Sequence, residues 1–473
     1  MDNAIEKIRD YINIRIKQTG RPFLAAVKTF GCQMNAHDSE KLEAMLISMG
    51  YTLISDERQA DLALINTCCV RENAENRLYG HLGMLKGVKS ANPEMKLVIC
   101  GCMTQQNTVA DTIMRNYKHV DVIFGTFNLH RFPELLLSSI ESGSQVIDIW
   151  EEPSETDLPA PKHRHFEKKA SVNIMYGCDN FCSYCIVPYV RGRERSRDIN
   201  DILDEIKRLA ADGVVEIMLL GQNVNSYGRS GRFTGSGGGS ENQVSFAELL
   251  NKVCDIDGIE RIRFMTSHPK DLSDELINTI RDQPKVCKHV HLPVQSGSSR
   301  ILGLMNRQYN KESYLELAQR LKELIPGIAL TTDIIVGFPG ETEADFEDTL
   351  DLVNTVRYSG VFTFIYSKRQ GAPAAAMSEH EPPEVIKRRF DRLLAAVNPI
   401  ILQENQKYIG KALTVLSESV NAANPALITG RADNNALVHF KLNDDASEAR
   451  LGEFIQVKIT GCKTFYLIGE EIT

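Results

Sequence analysis

The first 150 residues alternate short apolar runs with segments of helical periodicity. Residues 23–30, 61–66 and 96–100 are apolar runs of strand length, and residues 38–49, 74–86 and 104–117 show the spacing of amphipathic helices. Such alternation predicts βαβ units and a parallel sheet. Residues 151–170, which begin EEPSETDLPAP, are rich in proline and charge, and we interpret them as a linker.

A second alternating series follows this linker. Six strand-like runs occur, at residues 171–176, 216–220, 261–265, 289–294, 330–336 and 361–366. Helical segments separate them, for instance residues 201–211, 273–282, 314–324 and 345–356. Six βα units predict a partial (β/α)6 barrel, since a closed one has eight. Residues 229–242, rich in glycine and serine, are interpreted as a surface insertion.

The last part of the chain has a different pattern of apolar and polar residues. A charged amphipathic helix is predicted over residues 382–409, and short alternating runs rich in β-formers follow at residues 413–419, 426–429, 436–440, 454–460 and 465–468. Five short strands predict a small β-barrel of oligonucleotide-binding type. The fold class is therefore α/β, with a parallel α/β domain over 1–150, a partial barrel over 171–400 and a small β-barrel over 401–473.

Composition narrows the class of protein. A length of 473 residues agrees with about three domains. The net charge of -8 argues against a strongly basic nucleic-acid binder, although local basic patches remain open. The start of the chain lacks the apolar run of a signal peptide, and no apolar stretch is long enough to span a membrane. We expect a cytoplasmic protein, in which eleven cysteines indicate metal binding or catalysis.

The closest grouping of potential metal ligands is a loop with three cysteines, Cys178, Cys182 and Cys185. Thiolates this close can hold an iron–sulfur cluster. Three ligands leave one iron of a four-iron cluster open to substrate. Zinc motifs bring a second cysteine pair, which is missing here. The remaining alternative is a loop of unpaired core cysteines. The C-x-x-x-C-x-x-C spacing, with Tyr184 before the last cysteine, resembles the signature of radical S-adenosylmethionine enzymes.

A second cysteine set is spread over the N-terminal domain. Cys32, Cys68 and Cys102 lie 36 and 34 residues apart, and each ends a predicted strand. Parallel strands return to one sheet edge, where ligands bind, so three thiolates could converge there. Cys69 and Cys100 are neighbouring alternatives. We choose Cys68 because it ends an NTC turn, and Cys102 because the preceding glycine marks the strand end. On this reasoning alone, a second metal site and three buried cysteines remain equally open.

Several motifs together resemble the methylthiotransferase family over nearly the whole chain. They are GCQMNAHDSE at 31–40, NTCCVRENAE at 66–75, GCMTQQ at 101–106, YGCDNFCSYCIVPYVRGRERSR at 176–197, and further on LLGQNVNSYG, HLPVQSGS and TDIIVGFPGETE. GCQMN with NTC favours the branch that acts on isopentenyladenosine in tRNA over its relatives. The resemblance implies an N-terminal methylthiotransferase domain, a radical S-adenosylmethionine barrel and a C-terminal TRAM domain.

The same resemblance implies cofactors, substrate and partners. Two [4Fe-4S] clusters would lie on the cysteine triads Cys178/Cys182/Cys185 and Cys32/Cys68/Cys102, with S-adenosyl-L-methionine at the first. The substrate would be N6-isopentenyladenosine at position 37, in the anticodon stem-loop of tRNA, methylthiolated at C2 with two S-adenosylmethionine molecules and sulfur at the second cluster. We expect two protein partners besides tRNA, a one-electron reductant protein and an iron–sulfur or sulfur donor. We expect no association with a membrane, and the expected oligomeric state is a monomer.

Polar groups at the predicted strand ends are candidate contacts for S-adenosylmethionine. Glycine allows close backbone approach, while amides and carboxylates can bind amino-acid and ribose groups. Arginine can pair with the cofactor carboxylate or an RNA phosphate, and this applies to Arg191 as well as Arg193. For each of these positions a purely structural role is the alternative. The candidates are Gly221, Gln222, Asn223, Gln295, Ser296, Asp333, Phe338 and Arg193.

Three other functions compete with this hypothesis. Relatives within the same family would act on threonylcarbamoyl-adenosine in tRNA or on an aspartate of a ribosomal protein, and GCQMN at 31–35 argues against both. A cluster scaffold or electron carrier would need no substrate cavity. The six-unit barrel and the polar strand ends argue against that alternative.

Overall fold

The computed structural model describes residues 1–69, 72–153, 161, 163–234, 244–378, 380–443 and 450–472. Along the chain these ranges form a six-stranded sheet, two three-stranded parallel sheets flanked by helices, and a closed five-stranded barrel. The predicted α/β architecture is confirmed. Most of the predicted glycine–serine insertion (235–243) and part of the predicted linker (154–160 and 162) lie outside the described residues. In the part that is described, no helix has the length and apolarity needed to cross a bilayer.

The N-terminal sheet is parallel throughout, in the order β2-β1-β3-β4-β5-β6. Its strands are β1 (Leu24–Thr29), β2 (Thr52–Leu53), β3 (Leu62–Thr67), β4 (Lys96–Gly101), β5 (Val122–Phe124) and β6 (Val146–Asp148). Its helices are α1 (Asp2–Thr19), α2 (Gln33–Ser48), α3 (Glu72–Ala91), α4 (Asn107–Asn116) and α5 (Phe132–Ser142). Apolar clusters cover both faces, as parallel sheets require.

Helix α2 begins five residues earlier than the sequence predicted. Its first turns bury polar side chains, among them Asn35, His37 and Asp38. Buried polar residues interrupt the apolar periodicity from which a helix is recognised. The first residues of α2 therefore form part of the site described below.

The middle of the chain contains the six parallel strands of the predicted partial barrel. They are β7 (Lys169–Asn173), β10 (Glu216–Leu220), β12 (Arg261–Phe264), β13 (His289–His291), β14 (Ala329–Val336) and β15 (Gly360–Ile365). Two sheets, β12-β10-β7 and β13-β14-β15, are joined by a bridge between Ile262 and Val286. The helices are α6 (Val187–Arg191), α7 (Ile199–Ala211), α8 (Phe246–Cys254), α9 (Asp274–Asp282), α10 (Ser299–Leu304), α11 (Lys311–Leu324) and α12 (Glu343–Val356). A small third sheet joins β8 (Met175–Tyr176), β9 (Arg195–Arg197) and β11 (Phe233–Thr234).

The C-terminal domain follows helix α13 (Pro383–Gln406). All five predicted strands are present within a few residues of their expected positions and close in the order β16-β17-β18-β20-β19. They are β16 (Ala412–Val420), β17 (Ile428–Ala432), β18 (Leu437–Lys441), β19 (Phe454–Cys462) and β20 (Leu467–Glu471). Closure leaves no unpaired edge strand.

A buried ion network joins the C-terminal barrel to the amino end of the central strands. Glu216 on β10, 1% exposed, pairs with Arg261 at 3.4 Å and with Arg263 at 3.1 Å. Both guanidinium groups also donate across the interface, Arg261 to the carbonyl of Arg431 at 2.9 Å and Arg263 to that of Ala432 at 2.6 Å. These contacts place the small barrel at the end of the central domain opposite the strand ends that carry the candidate site.

Candidate active site

Three loops of the N-terminal sheet carry the spread cysteine set. Cys32 is the residue before α2, Cys68 follows β3 and Cys102 follows β4. Because β1, β3 and β4 are neighbouring parallel strands, their carboxyl ends share one edge, where open α/β sheets bind ligands. The Cys102 N–H donates to the carbonyl of Thr67 at 3.0 Å. The structure thus brings the three loops together, and their assignment as cluster ligands stays a prediction.

Asn35, the last residue of GCQMN, links these loops. Its Oδ1 lies 3.4 Å from Cys32 Sγ and 3.9 Å from Cys102 Sγ. Its Nδ2 donates to the carbonyl of Thr67 at 2.8 Å and to Asn66 Oδ1 at 3.1 Å. The side chain is fully buried, so all of its bonds are made to protein. Asn35 therefore orients the cysteine loops, a role the sequence motif did not specify.

Close packing requires the glycine before Cys32. Gly31 has a φ of +146°, and a Cβ there would lie 2.8 Å from Cys68 Cβ. No side chain fits at that distance without a shift of the backbone. The Gly31 turn therefore allows the Cys32 and Cys68 loops to approach each other.

The two alternative cysteines have different environments. Cys100 lies within β4 and packs into an apolar cluster, in agreement with the choice of Cys102. Cys69 is buried in contact with Cys102, Ile186 and Val190. The thiol hydrogen bond from Cys69, together with the nearby charge of Arg191, lowers the pKa of Cys102 to about 6. A fourth thiol thus lies beside the predicted triad.

Arg191 places a buried positive charge at this site. Its Nε donates to Cys102 Sγ at 3.3 Å, and its Nη2 pairs with Asp38 at 2.8 Å. Both charged side chains are 6% exposed. A cation beside a thiol favours the thiolate, which is the form that binds metal. In the structure Arg191 is held by Asp38 and Cys102, and a contact with the cofactor carboxylate or an RNA phosphate stays a prediction.

The compact cysteine loop runs between β8 and α6 and is fixed by the chain beyond α10. Ser183 N–H donates to the carbonyl of Met305 at 3.0 Å, and its Oγ donates to that of Leu304 at 2.8 Å. Asn306 Nδ2 donates to the carbonyl of Phe181 at 3.0 Å. Phe181 adopts a left-handed φ of +45°. These bonds hold the loop against the end of α10.

A second buried arginine serves this loop. Arg307 Nη1 donates to Cys182 Sγ at 3.3 Å, and its Nη2 donates to the carbonyl of Pro293 at 2.8 Å. Burial raises the pKa of Cys178 to about 11 and that of Cys185 to about 12. Metal ligands must be thiolates, so these two thiols would lose their protons when a cluster binds. The sequence carried no signal for Arg307, which lies 125 residues from Cys182 along the chain.

Helix α6 connects the two cysteine sets. Ile186, directly after Cys185, and Val190 form one buried cluster with Cys69 and Cys102. The same short helix ends at Arg191, which contacts Cys102. The carboxyl edge of the N-terminal sheet therefore faces the cysteine loop of the partial barrel. Cofactor binding by the three cysteines of each set stays a prediction.

Of the predicted cofactor contacts after β10, one reaches the N-terminal domain. Gly221 follows β10, and a Cβ there would approach Met175 to 2.5 Å. Gln222 Nε2 contacts Met34 Sδ at 3.1 Å, across the domain boundary. Asn223 is buried and donates to Asp271 at 2.8 Å. Its Oδ1 has no hydrogen-bond partner among the described residues.

The residues predicted to contact the cofactor after β13 and on β14 differ in burial and in hydrogen bonding. Gln295, with a φ of +72°, pairs through its backbone with Asp333 at 2.9 Å. Ser296 is fully buried and accepts from the Ser298 N–H at 3.2 Å. Asp333 Oδ2 lies 3.5 Å from His291 Nε2. Of these three, Asp333 has the exposure expected of a ligand-facing side chain.

The last two candidates point to different roles. Phe338 is buried in a cluster with Ile301 and Met305, which supports the cysteine loop. Arg193 is exposed on the other side of that loop and donates to Asp179 at 2.7 Å. Direct contact with S-adenosylmethionine stays a prediction for both residues.

Sequence reasoning missed one carboxyl group near the cysteine loop. Glu194 is 5% exposed, and burial raises its pKa to about 7. Ser226 Oγ donates to it at 2.8 Å. The arginine-rich GRERSR stretch gives no sign that this carboxyl group is buried, so only the tertiary structure reveals it.

A partial α/β barrel with a three-cysteine loop at the carboxyl ends of its strands defines a radical S-adenosylmethionine enzyme. Residues 172–353 match the radical SAM superfamily, residues 25–125 an uncharacterized protein family, UPF0004, and residues 406–472 the TRAM domain. A similar fold occurs in the radical S-adenosylmethionine methyltransferase TsrM of Kitasatospora setae, with a TM-score of 0.53, 15% identity, and coverage of 75% of this chain and 77% of that one.

Closer relatives define the family. A tRNA-2-methylthio-N(6)-dimethylallyladenosine synthase of Acetivibrio thermocellus is 51% identical over 98% of this chain and 94% of its own length. That of Clostridioides difficile is 52% identical over 99% of this chain and 95% of its own length. The chain belongs to the family of tRNA-2-methylthio-N(6)-dimethylallyladenosine synthases.

Proposed function

We propose that this protein is a radical S-adenosylmethionine tRNA methylthiotransferase that converts N6-isopentenyladenosine, at position 37 beside the anticodon, to its 2-methylthio derivative. The observation that carries the proposal is the arrangement around α6, the short helix that follows the cysteine loop directly and contacts Cys102 and Cys69 of the N-terminal domain. A single radical cluster would not need the second set. Family membership supports the substrate.

The donor chemistry of each thiol set fits a four-iron cluster. Cys178, Cys182 and Cys185 lie on one loop and would hold the cluster that binds S-adenosylmethionine, leaving one iron without a protein ligand. The second set, at Cys32, Cys68 and Cys102, would hold the other cluster. When bound, S-adenosylmethionine would supply the radical that activates the unreactive C2 carbon and the methyl group, the first cluster the electron that cleaves it, and the second cluster the sulfur.

The surrounding protein controls charge and geometry. Arg191 and Arg307 each donate to one thiol of a set and offset the negative charge of three thiolates in a dry environment. Asn35 fixes the cysteine loops of the N-terminal sheet. Glu194 can hold or release a proton near neutral pH. These groups act before substrate binds, so little reorganisation is needed during the reaction.

An apolar surface on the edge strand β15 is suited to the isopentenyl group. Phe362 is 52% exposed and Phe364 is 37% exposed, although both lie on a strand of the central domain. Phe362 is paired in register with Asp333 and its ring contacts that of His291, with centroids 5.8 Å apart. RNA-binding proteins stack splayed bases on aromatic rings, and the branched apolar chain would pack beside them.

The remaining partners and the location are part of the same proposal. A one-electron reductant protein must supply each radical, and an iron–sulfur or sulfur donor must replace the sulfur that leaves with product. We propose that the protein acts as a cytoplasmic monomer, with the TRAM domain contributing to tRNA binding.

The test is nucleoside mass spectrometry. Anaerobically reconstituted protein is incubated with S-adenosylmethionine, a reductant, and tRNA that carries either isopentenyl- or threonylcarbamoyl-adenosine. We expect methylthio product on the isopentenyl tRNA alone. Product only on the other tRNA would overturn the substrate and keep the chemistry. No product on either tRNA, with 5′-deoxyadenosine still formed, would favour the ribosomal protein substrate.

The role of β15 has its own test. Phe362→Ala should raise KM for isopentenyl tRNA with a smaller effect on cluster content, because it removes an apolar contact to substrate only. Ile14→Ala on α1, an exposed apolar position of similar accessibility (55%), serves as the control. An unchanged KM in Phe362→Ala would remove β15 from the substrate site.

A further inference from the structure

A group of metal-ligand side chains lies outside the two cysteine sets. Glu43 projects from helix α2, and His163 and His165 come from the segment that connects the N-terminal sheet to β7. Glu43 Oε2 lies 3.4 Å from His165 Nε2 and 3.7 Å from His163 Nε2. The three ligand atoms all lie within 4.8 Å of one another.

These separations match a bound metal better than hydrogen bonds. Ligand atoms each about 2.1 Å from a tetrahedral zinc ion are about 3.4 Å apart. Hydrogen bonds between a ring nitrogen and a carboxylate would be about 2.8 Å long. Glu43 Oε2 has no hydrogen-bond partner among the described residues, although it is inaccessible to solvent. Both histidines thus face the carboxylate oxygen with one ring nitrogen each, without bonding it directly.

The burial of Glu43 makes an unpartnered state costly. Its side chain is 8% exposed, and burial raises the pKa of its carboxyl group. A buried acceptor without a partner costs about 1–3 kcal/mol, and more when it is charged. A divalent cation between the carboxylate and the two imidazoles would satisfy all three groups, and two histidines with one carboxylate form a common zinc ligand set.

The neighbouring charges allow such a cation. Glu40, one turn before Glu43, faces the same segment, and its Oε1 accepts weakly from the His165 N–H at 3.5 Å. Glu40 also lies near His37, with Oε2 3.6 Å from Nδ1. A second carboxylate beside the ligands adds negative potential, which raises cation affinity.

We propose that Glu43, His163 and His165 bind one divalent transition-metal ion, Zn²⁺ by preference, that fastens the connecting segment to helix α2. Imidazole nitrogen with carboxylate oxygen suits zinc better than magnesium or calcium. The same helix starts beside Cys32 and carries Asn35. The ion would therefore fix the helix that supports the second cysteine set relative to the barrel that follows the segment.

The test uses the full-length protein with both clusters reconstituted, so that the six predicted ligand cysteines are occupied. Zn²⁺ binding is measured anaerobically by competition with a chromophoric chelator, and Co²⁺ is added in parallel as a spectroscopic probe. We expect one Zn²⁺ per chain in addition to iron, and cobalt d–d bands without thiolate charge-transfer bands. Zinc should also protect the chain next to His163 and His165 from protease.

Variants distinguish this site from others. His163→Ala/His165→Ala should lower zinc affinity about 100-fold or more, because even outer-shell partners are worth 10–100-fold. Glu43→Gln keeps the side-chain size and should weaken binding in the same direction. His380→Ala, at an exposed histidine elsewhere, is the matched control and should bind as the parent protein does.

Three results would overturn the proposal. They are a cluster-loaded protein that binds no zinc, equal affinity in the double histidine variant and the control, and thiolate-to-cobalt charge-transfer bands, which would place the metal on cysteine. None of these readouts depends on methylthiotransferase activity, so failure of the metal site and failure of the proposed function are separately visible.

Discussion

Replacing Arg191 by methionine should destabilise the N-terminal domain strongly. Methionine keeps much of the side-chain volume and removes the charge. The substitution leaves Asp38, 6% exposed, without the cation that Arg191 places 2.8 Å away. It also removes the bonds from the guanidinium to Asn35 and Cys102, both at 3.3 Å.

The magnitude follows from the burial of the pair. Removing one partner of a buried ion pair costs about 3–5 kcal/mol, because the remaining charge is left desolvated. That is a large share of a typical domain stability of about 5–15 kcal/mol. Arg193→Met is the matched control two residues away. Its pair with Asp179 is exposed, with 63% of the arginine side chain accessible, so a loss within about 1 kcal/mol is expected.

The assay uses the single tryptophan of the chain. Trp150 lies next to His130, with ring centroids 5.4 Å apart, and so reports on the N-terminal domain. Urea unfolding of the cluster-free, reduced protein is followed by its fluorescence. Adding Asp38→Asn to Arg191→Met should recover at least about 1 kcal/mol, as expected for coupled neighbours.

Equal unfolding midpoints for Arg191→Met and Arg193→Met would refute this reasoning. So would a double variant that is no more stable than Arg191→Met, because the loss would then come from packing and not from an uncompensated carboxylate. In cluster-loaded protein, Arg191→Met should also lower the reduction potential of the second cluster, since a buried positive charge favours the reduced state.

Three further perturbations test other parts of the structure. Cys68→Ala should lower iron content from about eight to about four per chain, the loss of one four-iron cluster, whereas Cys69→Ala should retain it; the opposite result would exchange their roles. Arg263→Ala should cost about 3 kcal/mol by leaving buried Glu216 undercompensated and should increase protease cleavage before the C-terminal barrel, while intact docking would contradict the interface. Burial lowers the pKa of His268 to about 2, so this histidine stays neutral in the folded protein. Its contribution to the free energy of unfolding is therefore complete above about pH 6.5 and is lost as the pH falls, by about 1.4 kcal/mol per pH unit. His268→Gln should flatten that slope in acid unfolding measurements, and an unchanged slope would exclude this histidine as the cause.

Most of the domain plan was accessible from the sequence because it rests on local patterns. The runs at 216–220 and 261–265 are observed as Glu216–Leu220 and Arg261–Phe264, since buried parallel strands are apolar over their whole length. The five C-terminal strands could be predicted because apolar and polar residues alternate along strands that are buried on one face only. Helix α2 was predicted too short because its first turns bury polar groups, which no periodicity test detects.

The candidate site was accessible only in part. The compact cysteine loop is a local motif, and the spread set followed from the geometry of successive βαβ units. The arginines that complete both sets were not accessible in the same way. Arg191 lies 89 residues from Cys102 along the chain, and Arg307 lies 125 residues from Cys182. Arg191 lies in a basic run and Arg307 is the only basic residue of residues 303–310. Neither context distinguishes a buried arginine from a solvent-exposed one.

The sequence by itself determined the α/β class and predicted the three-domain order and the two cysteine sets, because each depends on short-range spacing or on strand-to-strand repeats. The tertiary structure decided which charges are buried beside which thiols, that α6 joins the two sets, and that Glu43 lies opposite two histidines more than a hundred residues away. Those facts depend on packing between segments that are distant along the chain. Only that packing decides whether a charged side chain faces water or is buried beside a functional group.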